Sequence, residues 1–353
     1  MVAAPPLSIV FFGTPAFAAP TLQALLDSRH RVVGVVSQPD RPRGRGQKPG
    51  IAPVKALALG AGLTVLQPER LKDPGFLGAF AALGAELGVV AAYGRIIPEV
   101  VINTPRLGLI NVHGSLLPRY RGAAPVQRAV MAGDPETGIT IMRIVKELDA
   151  GAMFAKAVRP IPIEATSGDM ERELADAGAR LLVEVVESIA AGTAREEQQD
   201  AAQATYAPKI TREESPIHWT RSAAAIHNQV RGLNPWPRAS TSLDGARLIV
   251  IRTLPEEVHL SAGTEVPAPH REGPAPGSRL QAPDPPCAAD VEPELQFRRI
   301  PPGTVIEAAG DAIRVATGDG LLLILALQPE GKRAMTAREF LAGRPIAAGT
   351  RLS

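Results

Sequence analysis

Apolar positions in the first half of the chain form short, strand-like runs that alternate with segments of helical spacing. The runs are Leu7–Phe12, Arg31–Val36, Leu63–Leu66, Leu87–Ala92, Gly108–Val112, Thr137–Ile144 and Met153–Val158. Helices are predicted at Ala16–Leu26, Pro53–Leu59, between Leu66 and Leu87, at about Ala124–Ala132 and at Ser167–Ala191. Short apolar runs bounded by turn residues are typical of strands buried on both faces of a sheet. Strands that alternate with helices predict an α/β fold with a doubly wound, mostly parallel, Rossmann-like sheet.

The pattern changes after about residue 191. Gly192–Ala204 is polar and lacks apolar periodicity, as expected of a linker. Further strand-like runs, separated by Gly and Asp turns, lie at Ala246–Arg252, Gly303–Ala308, Ala312–Ala316 and Leu321–Ala326. Such short strands predict a small all-β barrel, similar to an OB fold, or a small sandwich. We therefore expect a catalytic domain at 1–191, a linker at 192–206 and a barrel domain at 207–353.

A proline-rich acidic stretch interrupts the predicted barrel. Eleven prolines fall between Pro255 and Pro302, ends included, and we interpret about 256–297 as a disordered insertion. That insertion has two Lys and Arg against eight Asp and Glu, whereas the rest of 207–353 has fifteen against eight. A basic barrel is a common platform for nucleic acid. A solvated barrel surface would have the same charge, so charge alone leaves both interpretations open.

Composition excludes several classes of protein. The only cysteine, Cys287, excludes an internal disulfide framework and any Cys-based zinc site, and we expect no metal. No apolar run nears the roughly 18 residues that a membrane span needs, and the first residues lack a basic segment before their apolar run. These features predict a cytoplasmic protein that does not contact a membrane.

Candidate chemistry follows the run that ends at Val112. Ligands of parallel α/β sheets bind beyond the carboxyl ends of the strands. Asn111 and His113 are two residues apart, so in a strand they share one face and supply an amide donor and an imidazole to one place. These groups suit stabilising a developing oxyanion and moving a proton. Asp149, in a Gly-containing loop at the same predicted edge, could orient the imidazole and stabilise its charged form.

Each of these residues also has a structural interpretation, because a single His is commonly structural and Asp-x-Gly is ordinary turn chemistry. Two other reaction classes are disfavoured. No G-x-G-x-x-G follows Phe12, which argues against a nicotinamide oxidoreductase. No G-x-S-x-G is present, which argues against an acyl-enzyme hydrolase.

Several longer motifs occur along the chain in a fixed order. They are FFGTP, QPDRPRGRGQK, AAYGRIIP, NVHGSLLPRYRGAAPVQRAV, GDPETGITIM, LDAGAM, NPWP and LQPEGKRAM. Together they resemble the folate-dependent formyltransferase family over nearly the whole chain outside the insertion. NPWP and the basic second domain are similar to the tRNA-directed branch of that family.

The resemblance implies that 10-formyltetrahydrofolate donates a formyl group to the α-amino group of methionyl-initiator tRNA. It also implies that Asn111, His113 and Asp149 are catalytic. Folate-binding positions carried over from the family are Tyr93, Gly94, Ser115, Leu116, Leu117 and Pro118. Ala152 departs from the family, which commonly has a polar residue there, without affecting the three catalytic positions. We expect a monomeric enzyme.

A basic loop, Ser37–Lys48, contains Arg41, Arg43, Arg45 and Lys48. Its Pro and Gly residues prevent a buried strand or helix, so the loop is expected to be exposed. The resemblance implies that this loop contacts the acceptor end of the tRNA and that Arg45 is its key residue. A merely solvated basic loop would have the same composition.

Two other functions stay open at this point. A formyltransferase of the same family could act on a different amine, such as a purine-pathway amine or a sugar nucleotide, without needing the basic barrel or the basic loop. A non-catalytic RNA-binding protein would be expected to lack at least one member of the candidate catalytic trio, but all three are present.

Overall fold

The computed structural model describes residues 4–40, 42–43, 48–256 and 300–353. The chain divides into two compact units, the first comprising Met1–Ser215 with Asn228–Arg238 and the second Pro216–His227 with Ala239–Ser353. The first unit thus extends beyond the predicted linker at 192–206, and it also includes the later segment Asn228–Arg238. Arg41, Arg45 and the predicted insertion from residue 257 onward lie outside the described residues.

The first unit contains the predicted sheet. Its strands are β1 (Ser8–Gly13), β2 (Arg31–Val36), β3 (Pro42–Arg43), β4 (Lys48–Pro49), β5 (Val65–Leu66), β6 (Leu87–Ala91), β7 (Leu109–His113), β8 (Arg121–Gly122), β9 (Glu136–Arg143), β10 (Met153–Pro160) and β11 (Tyr206–Ala207). Seven of them form one sheet in the order β10-β9-β7-β6-β1-β2-β5. The five neighbouring strands β7, β6, β1, β2 and β5 are parallel to one another, and β9 is antiparallel to both of its neighbours, β7 and β10. The predicted doubly wound, mostly parallel sheet is therefore confirmed.

Helices cover both faces of this sheet. They are α1 (Ala19–Leu26), α2 (Pro53–Gly60), α3 (Pro74–Ala82), α4 (Glu99–Ile102), α5 (Pro125–Ala132) and α6 (Ser167–Ala190). The long helix α6 begins with a capping box, in which Thr166 and Asp169 each accept a hydrogen bond from the other's backbone N–H. Such a box satisfies two amide groups that a helix start otherwise leaves unpaired, which fixes where α6 begins.

Strand β7 is buried on both faces, and its side chains alternate between two clusters. Ile110 and Val112 belong to the apolar cluster that includes residues of α1 and α6. Leu109 belongs to the cluster on the other face, with Phe12 and Phe80. Since side chains alternate along a strand, Asn111 and His113 lie on the same face as Leu109.

In the second unit the described residues form an antiparallel β-sheet and two helices. Helix α7 (Ala223–Gly232) begins in this unit and ends in the segment that belongs to the first. The strands are β12 (Ala239–Leu243), β13 (Ala246–Glu256), β14 (Val305–Ala309), β15 (Ala312–Ala316), β16 (Leu321–Pro329) and β17 (Met335–Thr336), followed by α8 (Ala337–Gly343). Their order is β12-β13-β16-β15-β14, with β17 paired to β16. Glu256, predicted to begin the insertion, is instead the last residue of β13 and pairs with Leu321.

Residues 350–353 join the two edges of this sheet. The Ser242 N–H donates to Ser353 O at 2.6 Å, and the Val305 N–H donates to Thr350 O at 2.8 Å. Leu352 is buried and bridges to Leu243. The edges are thereby connected as in a small barrel, in agreement with the all-β fold predicted for this part of the chain.

Candidate active site

Asn111 and His113 lie at the carboxyl end of β7, between β6 and β9. Asn111 is opposite Val90 on one side and Met142 on the other, and His113 is opposite Thr140. No hydrogen bond within the described ranges involves the half-buried side-chain amide of Asn111. An amide donor without a protein partner at a strand end is available to a ligand oxygen.

The imidazole of His113 is buried and held by a backbone carbonyl. Its Nε2 lies 2.9 Å from Tyr120 O. Because a carbonyl oxygen only accepts hydrogen bonds, Nε2 must carry a hydrogen and donate it. Nδ1 is therefore the nitrogen that is left for a second partner.

Asp149 faces that second nitrogen. Its Oδ2 lies 3.7 Å from His113 Nδ1, which is close enough for an ion pair and too long for a direct hydrogen bond. The same oxygen accepts a hydrogen bond of 2.8 Å from the Gly122 N–H. The structure thus brings Asp149 and His113 together. Oδ2 of Asp149 contacts both the imidazole and the backbone of β8.

The loop that carries Asp149 is tightly turned. Asp149 itself has a positive φ of 47°, a conformation that Asp tolerates better than most residues. A Cβ at Gly151 would lie 1.9 Å from the backbone oxygen of Arg143. Only glycine permits this close approach, so Gly151 determines the path of the loop past the end of β9.

Sequence reasoning did not identify Gln199, which holds the same loop from the predicted linker. Its Nε2 donates to Asp149 O and Gly151 O, both at 2.8 Å. Its Oε1 accepts from Arg121 Nε and Nη2 at 3.0 and 2.7 Å. No sequence signal distinguishes Gln199 from its polar neighbours, since its role depends on contacts about 50 residues away.

The predicted folate loop after β7 directs two of its side chains inward. Ser115 is fully buried and its Oγ donates to Arg119 O at 2.6 Å. Leu117 packs in a buried cluster with Met142 and Met153. Leu116 and Pro118 are partly exposed. A ligand at this loop would therefore meet the side chains of Leu116 and Pro118 and only the backbone of Ser115 and Leu117.

Tyr93 and Gly94, the other predicted folate positions, follow β6 at the same edge. Gly94 has a φ of 78°, which favours glycine, and Tyr93 is buried with its hydroxyl unpartnered. Burial raises the pKa of the Tyr93 hydroxyl above its usual value. Gln38 donates from Nε2 to Tyr93 O at 2.6 Å, which links this edge to the start of the basic loop.

Of the four predicted tRNA contacts, the described residues include Arg43 and Lys48, whose backbones pair across β3 and β4. The segment leading into them is anchored at Asp40, which accepts hydrogen bonds from Lys55 and, at 3.3 Å, from Gln67. The hydrogen bond from Lys55 is the main cause that lowers the pKa of the Asp40 carboxyl. The base of the loop is thus fixed, while the tRNA contacts themselves stay a prediction.

Two features are absent from the part of the chain that the structure describes. No group of three or more His, Cys, Asp or Glu among the described residues could hold a metal ion. None of the helices in this part of the chain is both long and apolar enough to cross a membrane.

An α/β unit with an unpartnered amide, an imidazole and a carboxylate at the carboxyl edge of its sheet has the functional groups needed for acyl or one-carbon transfer to an amine. The formyl transferase family model matches residues 7–186, and the model of the formyl transferase C-terminal domain matches residues 209–345. The chain belongs to the formyl transferase family.

A curated relative covers almost the same length. The methionyl-tRNA formyltransferase of Moorella thermoacetica is 43% identical over 343 residues, which are 97% of this chain and 98% of the relative.

Solved structures with lower identity share the fold. The N-formyltransferase from Helicobacter canadensis, in complex with folinic acid and dTDP-3-aminofucose, has a TM-score of 0.59 and 15% identity over 90% of this chain and 99% of its own. HypX from Aquifex aeolicus, in complex with tetrahydrofolic acid, has a TM-score of 0.58 and 16% identity over 96% of this chain. The match covers 47% of HypX, so this chain spans about half the length of that protein.

Proposed function

We propose that this protein transfers the formyl group of 10-formyltetrahydrofolate to the α-amino group of methionyl-initiator tRNA. The observation that carries the choice of acceptor is the 43% identity with a methionyl-tRNA formyltransferase over nearly all of both chains. The structural neighbours share the fold at much lower identity, and one of them was solved with an amino-sugar nucleotide. Fold alone does not decide the acceptor.

The residues at the end of β7 fit a formyl-folate by their chemistry. When bound, 10-formyltetrahydrofolate supplies the formyl carbon that the amine attacks. Asn111 offers an amide donor without a protein partner within the described residues, and Leu116 and Pro118 offer partly exposed apolar surface. We infer that Asn111 donates to the formyl oxygen, where negative charge grows during attack.

His113 and Asp149 serve proton transfer and charge stabilisation in this proposal. Nε2 of His113 is engaged by Tyr120 O, so Nδ1 is the atom that holds or releases the mobile proton. Asp149 Oδ2, 3.7 Å from Nδ1, stabilises the charged ring. In this proposal they take the proton that the amine nitrogen gives up as it bonds to the formyl carbon. They return that proton to N10 of the folate as the bond between the formyl carbon and N10 breaks. Removing one such group typically costs about 3 kcal/mol of transition-state stabilisation.

The tRNA partner is further supported by charge. Residues 207–255 and 298–353 contain fifteen Lys and Arg against eight Asp and Glu. A stretch of sequence after the catalytic residues that is basic outside the predicted insertion suits a polyanionic substrate. We also propose that the enzyme acts as a monomer in the cytoplasm, which sedimentation and cell fractionation would test.

The experiment is a comparison of acceptors. The purified full chain is incubated with 10-formyltetrahydrofolate and methionyl-initiator tRNA, methionyl-elongator tRNA, glycinamide ribonucleotide or a dTDP-amino sugar, and formylated products are quantified. We expect N-formylmethionine from the initiator tRNA at an efficiency at least tenfold above every other acceptor. Preferred formylation of a small amine would show that this amine, and not the tRNA, is the acceptor. Absence of transfer to every acceptor would refute formyl transfer to these amines.

A further inference from the structure

The two tryptophans of the chain have different surroundings. Trp219 is buried and its Nε1 donates to Thr241 Oγ1 at 3.0 Å, so packing and hydrogen bonding account for it. Trp236 follows α7 and leaves 49% of its surface in solvent. A large aromatic side chain this exposed contributes little to a core, and tryptophan is enriched at binding interfaces.

The turn that carries Trp236 is fixed to the start of α6. Asn234 O accepts hydrogen bonds from Ser167 Oγ at 2.8 Å and from the Gly168 N–H at 3.1 Å. Pro235 packs directly against the helix, since a Cβ at Gly168 would lie 2.9 Å from its Cδ. The backbone on one side of Trp236 therefore has a defined position on α6.

The other side of the turn is closed by its own residues. The Arg238 N–H donates to Leu233 O at 2.9 Å, and Arg238 Nε donates to Pro235 O at 3.3 Å. Buried Arg231 connects the end of α7 to the loop that precedes α6. Its Nη1 donates hydrogen bonds to Pro162 O at 3.3 Å and to Ala165 O at 3.4 Å. Trp236 thus projects into solvent from a rigid base, with the cationic Arg238 in the same turn.

Strand register places this turn at the edge of the sheet that carries the candidate active site. His113, at the end of β7, is opposite Thr140, and β9 extends beyond that point back to Glu136. Pro160, at the end of β10, is opposite Glu136. Strand β10 therefore ends, and α6 begins, at the carboxyl edge of the parallel strands. The turn on the start of α6 and the trio belong to one compact unit and to one edge of its sheet.

We propose that Trp236 is a stacking platform for a nucleotide base of the tRNA substrate. This inference rests on the proposed function. A rigid, exposed indole loses little conformational entropy when a base stacks on it, and stacking is tolerant of base identity. The guanidinium of Arg238 adds a positive charge beside the platform for the neighbouring phosphate. An acceptor whose amine enters the active site extends across this edge if it is a polynucleotide, whereas a small amine does not.

The test compares Trp236→Leu, Trp236→Phe and the matched control Val100→Ala, which trims another exposed side chain of the same unit (50% exposed). Formyl transfer is measured with methionyl-initiator tRNA and with a methionyl-adenosine fragment. For Trp236→Leu we expect kcat/KM for the tRNA to fall roughly tenfold relative to the fragment, mainly through KM. Trp236→Phe should recover most of the loss, and Val100→Ala should change neither acceptor.

A binding measurement separates this inference from the proposed function. The fluorescence difference between the wild type and Trp236→Phe reports on Trp236, and uncharged tRNA should quench that difference signal. Quenching without formylation would support the platform while refuting the proposed reaction. Absence of quenching, or an equal loss with tRNA and fragment, would overturn the platform. Quenching by an unrelated acidic protein and not by tRNA would also overturn it, in favour of a protein-docking residue.

Discussion

His113 is held by two neighbours of different kinds, a hydrogen-bonded carbonyl at 2.9 Å and a carboxylate at 3.7 Å. The carbonyl of Tyr120 accepts a hydrogen bond from Nε2, so Nε2 carries a hydrogen. The carboxylate of Asp149 lies beside the other nitrogen, Nδ1. The hydrogen bond to the carbonyl therefore orients the imidazole ring, and the negative charge of the carboxylate stabilises the protonated form of the ring.

Replacing His113 with Ala should lower kcat by about 100-fold or more, because proton transfer and charge stabilisation at Nδ1 are both lost. tRNA binding should stay within about twofold, since the imidazole is buried beside the reacting groups. Single-turnover kinetics and a tRNA binding titration measure the two effects separately. A variant that keeps near-normal kcat would refute the catalytic role of His113.

Asp149→Asn tests the carboxylate alone and should also lower kcat.

Gly151 should be intolerant of any side chain. A Cβ there would overlap Arg143 O at 1.9 Å, so Gly151→Ala must displace the loop that carries Asp149. We expect a loss of about 2 kcal/mol or more in the free energy of unfolding and a fall in kcat, measured by denaturant unfolding and activity. Gly60→Ala provides the matched control, because no described atom beyond its chain neighbours and the backbone of its own helix lies within 4 Å of the Cβ it would add. If Gly151→Ala matched that control, the close approach would not constrain the loop.

The sequence predicted more of the candidate site at strand ends than in loops. Asn111 and His113 were expected to share one face because a strand has a two-residue period, and both residues lie in strand β7. Gln199 could not be found in this way, since a polar residue in an aperiodic segment carries no signal of its partner. The inward direction of Ser115 and Leu117 was equally inaccessible, because it depends on the loop's contacts with β9 and β10.

At the scale of elements, helix α6 is tied to the start of the sheet near its carboxyl end. Glu187 forms an ion pair with Arg29 at 2.5 Å, and its Oε1 lies 3.2 Å from Nε2 of His30. His30 Nδ1 accepts a hydrogen bond from the Leu7 N–H at 3.0 Å, just before β1. His30 thus links β1, the segment before β2 and α6.

This link should make stability depend on pH. Burial lowers the pKa of His30, although Glu187 opposes the shift. Below the usual histidine pKa of about 6.5, the unfolded chain takes up a proton that the folded chain does not, so the free energy of unfolding should fall as pH decreases. The slope from this group is at most about 1.4 kcal/mol per pH unit and ends once pH is below the folded pKa.

His30→Gln isolates the effect, because Gln can still accept from Leu7 and does not titrate. Urea unfolding of both proteins from pH 7.5 to pH 5.5 gives the difference curve. We expect the wild type to lose stability relative to the variant as pH falls through about 6.5. A pH-independent difference would assign the dependence to other groups.

Sequence reasoning gave the order of elements better than their long-range pairing. Every predicted strand of the first half has a counterpart, since each is a distinct apolar run. The two-residue strands β8 and β11 are too short for a periodic pattern, and they pair about 85 residues apart. The inclusion of Asn228–Arg238 in the first unit likewise rests on contacts with α6 and the loop before it.

For the whole molecule, charge and chemistry reside in different stretches of sequence. The candidate trio lies between residues 111 and 149, whereas 207–255 and 298–353 have a net excess of seven positive charges, from fifteen basic and eight acidic residues. If these charges engage phosphates, binding releases counterions and weakens as salt rises.

tRNA affinity should therefore decrease by roughly tenfold or more between 50 and 200 mM salt, whereas folate affinity should change by less than about twofold. Titrations of both ligands against the same enzyme at several salt concentrations measure the slopes. Equal slopes for the two ligands would show that the basic residues of 207–255 and 298–353 do not bind the tRNA.

The chain passes from one compact unit to the other at three places, after Ser215, His227 and Arg238. A single genetic crossover near residue 207 therefore exchanges more than the second unit. It replaces Asn228–Arg238 as well, the segment that sits on α6 and carries Trp236, while leaving Asn111, His113 and Asp149 with the recipient. Recombination among homologues would thus exchange the turn that carries Trp236 while the three candidate catalytic groups stay the same.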